Sequence, residues 1–200
     1  QLLSHHHGSN KLIKESEVNM IVIHPKDRTT QMLEILYNGI SCQKVDTTLS
    51  KNQLRSILYP IPSSEPIMLL GHGGEEGLYT RKDDTKDEFS KLIDHSFSHI
   101  LKKHNGRIFA VFCHAKSFAE KEHLHGLFSG MIISEMSEAE LYGIPTTMEE
   151  LSLENIKLAK NLRLLLDKET PWFEIPERML SLDDSHTPLT EFNYHNFFYL

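Results

Sequence analysis

The chain has 200 residues, 39% of them hydrophobic and 24% charged, ordinary values for a globular protein and enough for one sizeable core. Its net charge of −7 argues against sequence-independent nucleic-acid binding, which needs a dense basic surface, and it disfavours an anionic membrane surface. No run reaches the roughly 18 apolar residues of a membrane span.

Residues 1–17 contain Ser4-His5-His6-His7-Gly8-Ser9, which reads as the remnant of an affinity tag and linker, set aside from the fold and from any metal argument. Gln1 is not a natural start, and no signal-type leader is visible. From Val18 to residue 170 short apolar runs alternate with amphipathic stretches, as expected of one α/β domain. Met20 to Ile23 reads as a buried strand closed by His24-Pro25. Asp27 is expected to cap a following helix, on which Met32, Leu33, Leu36 and Tyr37 recur at helical spacing before Asn38-Gly39. Ile40 to Val45 predicts a second strand. Ser50 caps a helix with Leu54, Ile57 and Leu58 on one face, stopped by Pro60 and Pro62.

Ile67 to Leu70 predicts a third strand, running straight into Gly71-His72-Gly73-Gly74. A polar, hairpin-like stretch follows from Glu75 to Asp87. Phe89 to Lys102 carries a helical stripe of Phe89, Leu92, Ile93, Phe97, Ile100 and Leu101. Arg107 to Phe112 predicts a fourth strand that stops at Cys113-His114. Lys116 to His123 reads as a helix, Gly130 to Ser134 as a fifth strand, and Met148 to Asp167 as the longest helix. Residues 171–200 are rich in aromatics, and a tail packing on the same domain is expected there.

This alternation predicts a three-layer, Rossmann-like α/β fold with a mostly parallel central sheet flanked by helices. Sites in such sheets form beyond the carboxyl ends of the strands. His72 and Cys113 follow the third and fourth strands directly. If the strands are neighbours, about 4.8 Å apart, the two side chains can work as a pair. An imidazole can take the proton of a thiol and stabilise the thiolate. Gly73 and Gly74 let a substrate approach the backbone, where an N–H can face a developing oxyanion; the N–H of Cys113 is a second candidate donor. Cys42, in mid-strand without a matched histidine, is assigned to the core. Two cysteines in strand-like runs suggest reduced thiols and a cytoplasmic setting.

An apolar strand, His72-Gly73, a helix, a second apolar strand and Cys113 together resemble the catalytic blocks of the caspase-like cysteine peptidases, the group of caspases, metacaspases, legumains, clostripain and gingipains. The resemblance covers roughly Met20 to Ala139. It implies a caspase-like fold and hydrolysis of a peptide or protein substrate without a cofactor. It also implies His72 as acid and base, the Gly73 N–H as oxyanion donor and Cys113 as nucleophile. Phe112 stands where the group usually has a small residue, and either crowds the substrate or turns into the core. Glu135, beyond the fifth strand, stands where several of these families line a pocket for a basic side chain; the reading of Glu135 and Glu138 as solvated helix-start carboxylates that complement the dipole is favoured over it. His114 is a further candidate for substrate contact, although alternation along a strand points it away from Cys113.

A zinc site of His72, Cys113 and His114 lacks supporting ligand spacing, despite 13 histidines. A phosphate cradle at Gly71–Gly74 lacks both a GxGxxG and a Walker lysine, and the stretch that follows is acidic. The rival to a hydrolase is an inactive domain of the same fold that binds a peptide or protein. The oligomeric state is left open.

Overall fold

The computed structural model describes residues 19–83 and 85–200. The tag-like segment lies outside them. The strands are β1 (Met20–Ile23), β2 (Cys42–Lys44), β3 (Ile67–Leu70), β4 (His72–Gly74), β5 (Gly77–Arg81), β6 (Phe89–Ile93), β7 (Ile108–Val111), β8 (Gly126–Ser129) and β9 (Phe197–Tyr199). The helices are α1 (Lys51–Leu58), α2 (Ser98–Leu101), α3 (Ala115–Glu122), α4 (Met136–Leu141), α5 (Met148–Asp167), α6 (Ile175–Leu182) and α7 (Pro188–Tyr194).

Six strands form the central sheet in the order β2-β1-β3-β7-β8-β9. All neighbours are parallel except β9, which pairs antiparallel with β8. The α/β fold with a mostly parallel sheet is therefore as the alternation predicts. The inner strands are buried on both faces, which is why they read as unbroken apolar runs. Alternation sorts their side chains: Ile21, Ile23, Ile67, Leu69, Ile108 and Ala110 meet Leu54, Phe97 and Phe118 on one face. Val22, Met68, Leu70, Phe109 and Val111 meet Leu36, Leu158 and Leu162 on the other.

Local chemistry sets the helix starts. Ser50 and Gln53 make a reciprocal capping box on α1, and the Thr147 hydroxyl accepts from the Glu150 N–H at the start of α5. The segment after β1 winds as a 3₁₀ helix, Gln31–Leu36, whose N-cap is Thr30 rather than Asp27.

Two stretches differ from expectation. Phe89 to Ile93 is a strand, and helix begins only after it. Asp94, whose carboxylate accepts from the Ser96 N–H at 2.9 Å, resets the chain in the middle of the apolar stripe. β6 thereby completes a second, antiparallel sheet, β4-β5-β6. The strand after α3 is Gly126–Ser129, whereas residues 130–134 continue past the sheet without strand pairing. Residues 130–134 are a short apolar run, and such a run does not separate a buried strand from a buried connection. Residues 171–200 form the 3₁₀ turn Trp172–Glu174, α6, α7 and β9, which runs along β8. Cys42 is partly buried and packs against the core. Among the described residues no helix is long and apolar enough to cross a membrane.

Candidate active site

β3 and β7 are parallel neighbours in register Leu70↔Val111, so the chain leaves both strands at one edge of the sheet. Gly71 still donates its N–H to the Val111 carbonyl (3.2 Å), then takes φ +142°, a conformation open to glycine, and turns the chain out of the large sheet into β4. His72 is therefore the first residue of the small sheet. Cys113 lies two residues beyond the end of β7. Both help to line one cavity of about 30 Å³, with Thr30, Ile132 and Asn155 among its other walls, room for about one water molecule. The structure brings the two residues to the same cavity without a direct hydrogen bond between them among the described residues.

His72 is held through Nε2. The Thr29 hydroxyl lies 2.5 Å from that nitrogen and the Asp27 carboxylate 3.2 Å. The Phe89 ring packs against the imidazole with centroids 5.1 Å apart. Asp27 is not a helix cap. It is buried, and its Oδ1 accepts from the N–H and the hydroxyl of Thr29 (2.8 and 2.7 Å). Its Oδ2 accepts from Arg81 Nε at 2.9 Å. Burial pushes the Asp27 carboxyl up, but the Arg81 and Thr29 donors outweigh it and hold the group below the usual carboxylate range. Arg81, buried as well, reaches Asp87 (2.8 Å) and Glu135 (3.5 Å) and stacks over Phe89 at 4.7 Å.

Cys113 is held differently. Its thiol donates to the Ile132 carbonyl (3.3 Å) and lies 3.8 Å from a Glu138 oxygen. Burial and the Glu138 carboxylate push its pKa up to about 12, so the resting sulfur is a thiol. The loop that supplies Ile132 is fixed from behind. Asn193 on α7 accepts from the Ile133 N–H (2.9 Å), and Asn155 on α5 and Asn193 both donate to the Ile133 carbonyl (3.1 and 3.2 Å).

Phe112 turns inward: it is 2% exposed and packs near Phe118, with ring centroids 6.2 Å apart. Its ring also lies on Gly73, where a Cβ would collide with it and with the Gly77 carbonyl. Glu75-Glu76 is a two-residue turn, which makes Gly74↔Gly77 the hydrogen-bonded pair of the hairpin. Alternation then directs the Gly73 N–H away from β5, and Gly73 is not among the walls of the His72–Cys113 cavity.

His114 is the N-cap of α3 at φ +63°, half-exposed, outside the walls of the cavity that Cys113 lines. The left-handed turn there redirects the chain straight after the cysteine. Glu135 is the N-cap of α4, and Glu138 closes that cap by accepting from the Ser134 and Glu135 N–H groups (2.9 and 3.0 Å). The helix-start reading of the two carboxylates therefore describes their hydrogen bonds. Glu135 also faces Arg81 and lines a groove of about 500 Å³ with Met32, Met136, Met148 and Leu151. Met32, Ser134 and Asn155 are common to this groove and the His72–Cys113 cavity. His72, Cys113 and His114 do not gather as a three-ligand metal set, nor does any other His, Cys, Asp or Glu group among the described residues.

Sequence reasoning missed Thr29, Arg81, Phe89, Asn155 and Asn193, and gave Asp27 another task. Arg81, inside a stretch otherwise read as a solvated hairpin, was the available signal: a basic residue in Leu78-Tyr79-Thr80-Arg81, a β-prone run after a glycine. Comparison of the chain with models of protein families gave no match, and comparison with curated proteins gave none.

Proposed function

We propose that the protein is a caspase-like cysteine hydrolase that cleaves peptide bonds, with Cys113 as nucleophile and His72 as acid and base. One observation carries this reading: adjacent parallel strands, β3 and β7, deliver a histidine and a cysteine to the walls of a single cavity at the carboxyl edge of the sheet. The N–H of Gly73, directed away from β5 and next in sequence to the histidine, is the oxyanion donor of this reading.

In the proposed reaction the Cys113 thiol gives its proton to His72 and its sulfur attacks the substrate carbonyl, forming a C–S bond. The Gly73 N–H faces the oxyanion. The C–N bond breaks as His72 returns the proton to the leaving amine. Water then attacks the thioester, giving up a proton to His72, and the acid is released as Cys113 regains its hydrogen. The thiol must first leave the Ile132 carbonyl, and an acyl group entering from the Met32–Met148 groove is what would displace it. Arg81 already pairs with Glu135, so that carboxylate is offered to a substrate only in part.

A second reading has its own support. The thiol bound to Ile132, with a pKa near 12, suits a domain that binds a peptide in the groove without cleaving it.

Cleavage of a peptide library by wild-type protein, Cys113→Ala and His72→Ala separates the two. The hydrolase reading expects cleavage that Cys113→Ala abolishes and His72→Ala lowers on the order of 100-fold or more. Peptide binding without cleavage, with Cys113 inert to iodoacetamide near neutral pH, would establish the binding module instead.

A further inference from the structure

We infer that Asp27 is a positioning residue for His72: its carboxylate fixes the imidazole as the Nε2–H tautomer, leaving Nδ1 as the atom that takes the proton of Cys113. This rests on the hydrolase reading and adds a third residue to it.

The hydrogen-bond arithmetic assigns the tautomer. The Thr29 hydroxyl donates its one hydrogen to Asp27 Oδ1 at 2.7 Å. Toward His72 Nε2, 2.5 Å away, it therefore acts as an acceptor. Asp27 Oδ2, 3.2 Å from the same nitrogen, is an acceptor too while the carboxylate is ionised. Two acceptors converge on Nε2, so Nε2 carries a hydrogen. Arg81 Nη2, a donor 3.5 Å from that nitrogen, is the weakest of these contacts and serves Glu135 at the same distance. His72 Nδ1 has no protein hydrogen-bond partner among the described residues, and a neutral imidazole with hydrogen on Nε2 has its lone pair there.

The backbone supplies the same three residues in order. β1, β3 and β7 are consecutive in the sheet, and Asp27, His72 and Cys113 follow their three carboxyl ends. Asp27 is rigid: four donors, Thr29 N and Oγ1, Arg81 Nε and His72 Nε2, occupy its two oxygens. Its negative charge lies beside the imidazolium that forms when Nδ1 is protonated, the arrangement by which a buried carboxylate orients and supports a catalytic imidazole. The carboxylate touches no reacting atom; it acts through His72.

The test pairs nitrogen spectroscopy with kinetics. Long-range ¹H–¹⁵N correlation of uniformly ¹⁵N-labelled protein reads which ring nitrogen of His72 carries the hydrogen, with His72→Gln identifying the signals. The expectation is Nε2–H in the wild type and a shift toward Nδ1–H in Asp27→Asn, whose amide hydrogens face Nε2. In peptide hydrolysis Asp27→Asn should lower kcat on the order of 100-fold with little change in KM, and Asp27→Glu should recover part of the loss. A wild-type His72 with its hydrogen on Nδ1 overturns the assignment, whether or not the variants fold. Hydrolysis with unchanged kcat in folded Asp27→Asn overturns the role of Asp27 and leaves the dyad standing. No Cys113-dependent hydrolysis, with His72 still Nε2–H, overturns the hydrolase reading and leaves the hold of Asp27 on the ring.

Discussion

Asn193 clamps the peptide of Ile133 from both sides, accepting from its N–H at 2.9 Å and donating to its carbonyl at 3.2 Å across 60 residues of sequence. Ile133 and Asn193 are both buried, so no solvent replaces these bonds. The clamped loop is the one whose preceding carbonyl, Ile132, holds the Cys113 thiol.

Asn193→Ala leaves the Ile133 N–H buried and unpaired, which costs about 1–3 kcal/mol. Urea denaturation should show that loss. The same variant should alkylate faster at Cys113 than wild type, followed by mass spectrometry under native conditions. Lower stability with an unchanged alkylation rate would mean that the clamp does not shield the thiol.

Gly73→Ala should destabilise the fold by about 2 kcal/mol, the cost of forcing extra volume into a packed region. The new methyl meets both the Phe112 ring and the Gly77 carbonyl, and the latter is backbone. The melting temperature reads the effect. Gly106→Ala, at a glycine with open space around it but φ +85°, provides a comparison in which only backbone strain acts.

Arg81→Gln strands the buried Asp27 carboxylate without its guanidinium, and a cost of about 3 kcal/mol is expected. Arg81→Lys should recover only part, because one ammonium cannot serve Asp27, Asp87 and Glu135 in three directions. Chemical denaturation of both variants at pH 7 tests the order.

His24 predicts a pH dependence. It is buried, bonded through Nδ1 to the Tyr37 hydroxyl (2.8 Å), and burial, helped by Lys44, lowers its pKa from 6.5 to about 4. Between those values the unfolded chain binds a proton that the folded chain refuses. This contribution to stability is complete above about pH 6.5 and is lost as the pH falls toward 4, by roughly 3 kcal/mol in total. Buried His104 shifts in the same direction. Unfolding free energies between pH 7 and 4.5 should fall less steeply in His24→Gln than in wild type.

The sheet was legible because its inner strands are buried on both faces: Met20–Ile23 and Ile67–Leu70 match their apolar runs residue for residue. Met148–Asp167 was legible for a related reason, since 20 residues of helical periodicity outweigh any local ambiguity. Phe89–Ile93 misled because Leu92 and Ile93 join a helical stripe to Phe97 equally well, and only the cap at Asp94 divides them. The positions of His72 and Cys113 could be read from strand ends. Their surroundings could not. Arg81 meets Asp27 across 54 residues, and nothing local to either marks the partnership.

The turn at Gly71 places His72 on the three-stranded sheet, while Cys113 leaves from the six-stranded one. The distance between imidazole and sulfur is therefore a measure of how one sheet rests on the other, at a joint filled by Leu78 and Ile93 packed among Ile23 and Leu69. A methylene removed from that joint, remote from both side chains, is expected to alter their spacing. On the hydrolase reading, Leu78 and Ile93 would join the residues that set the rate, although neither carries any chemistry.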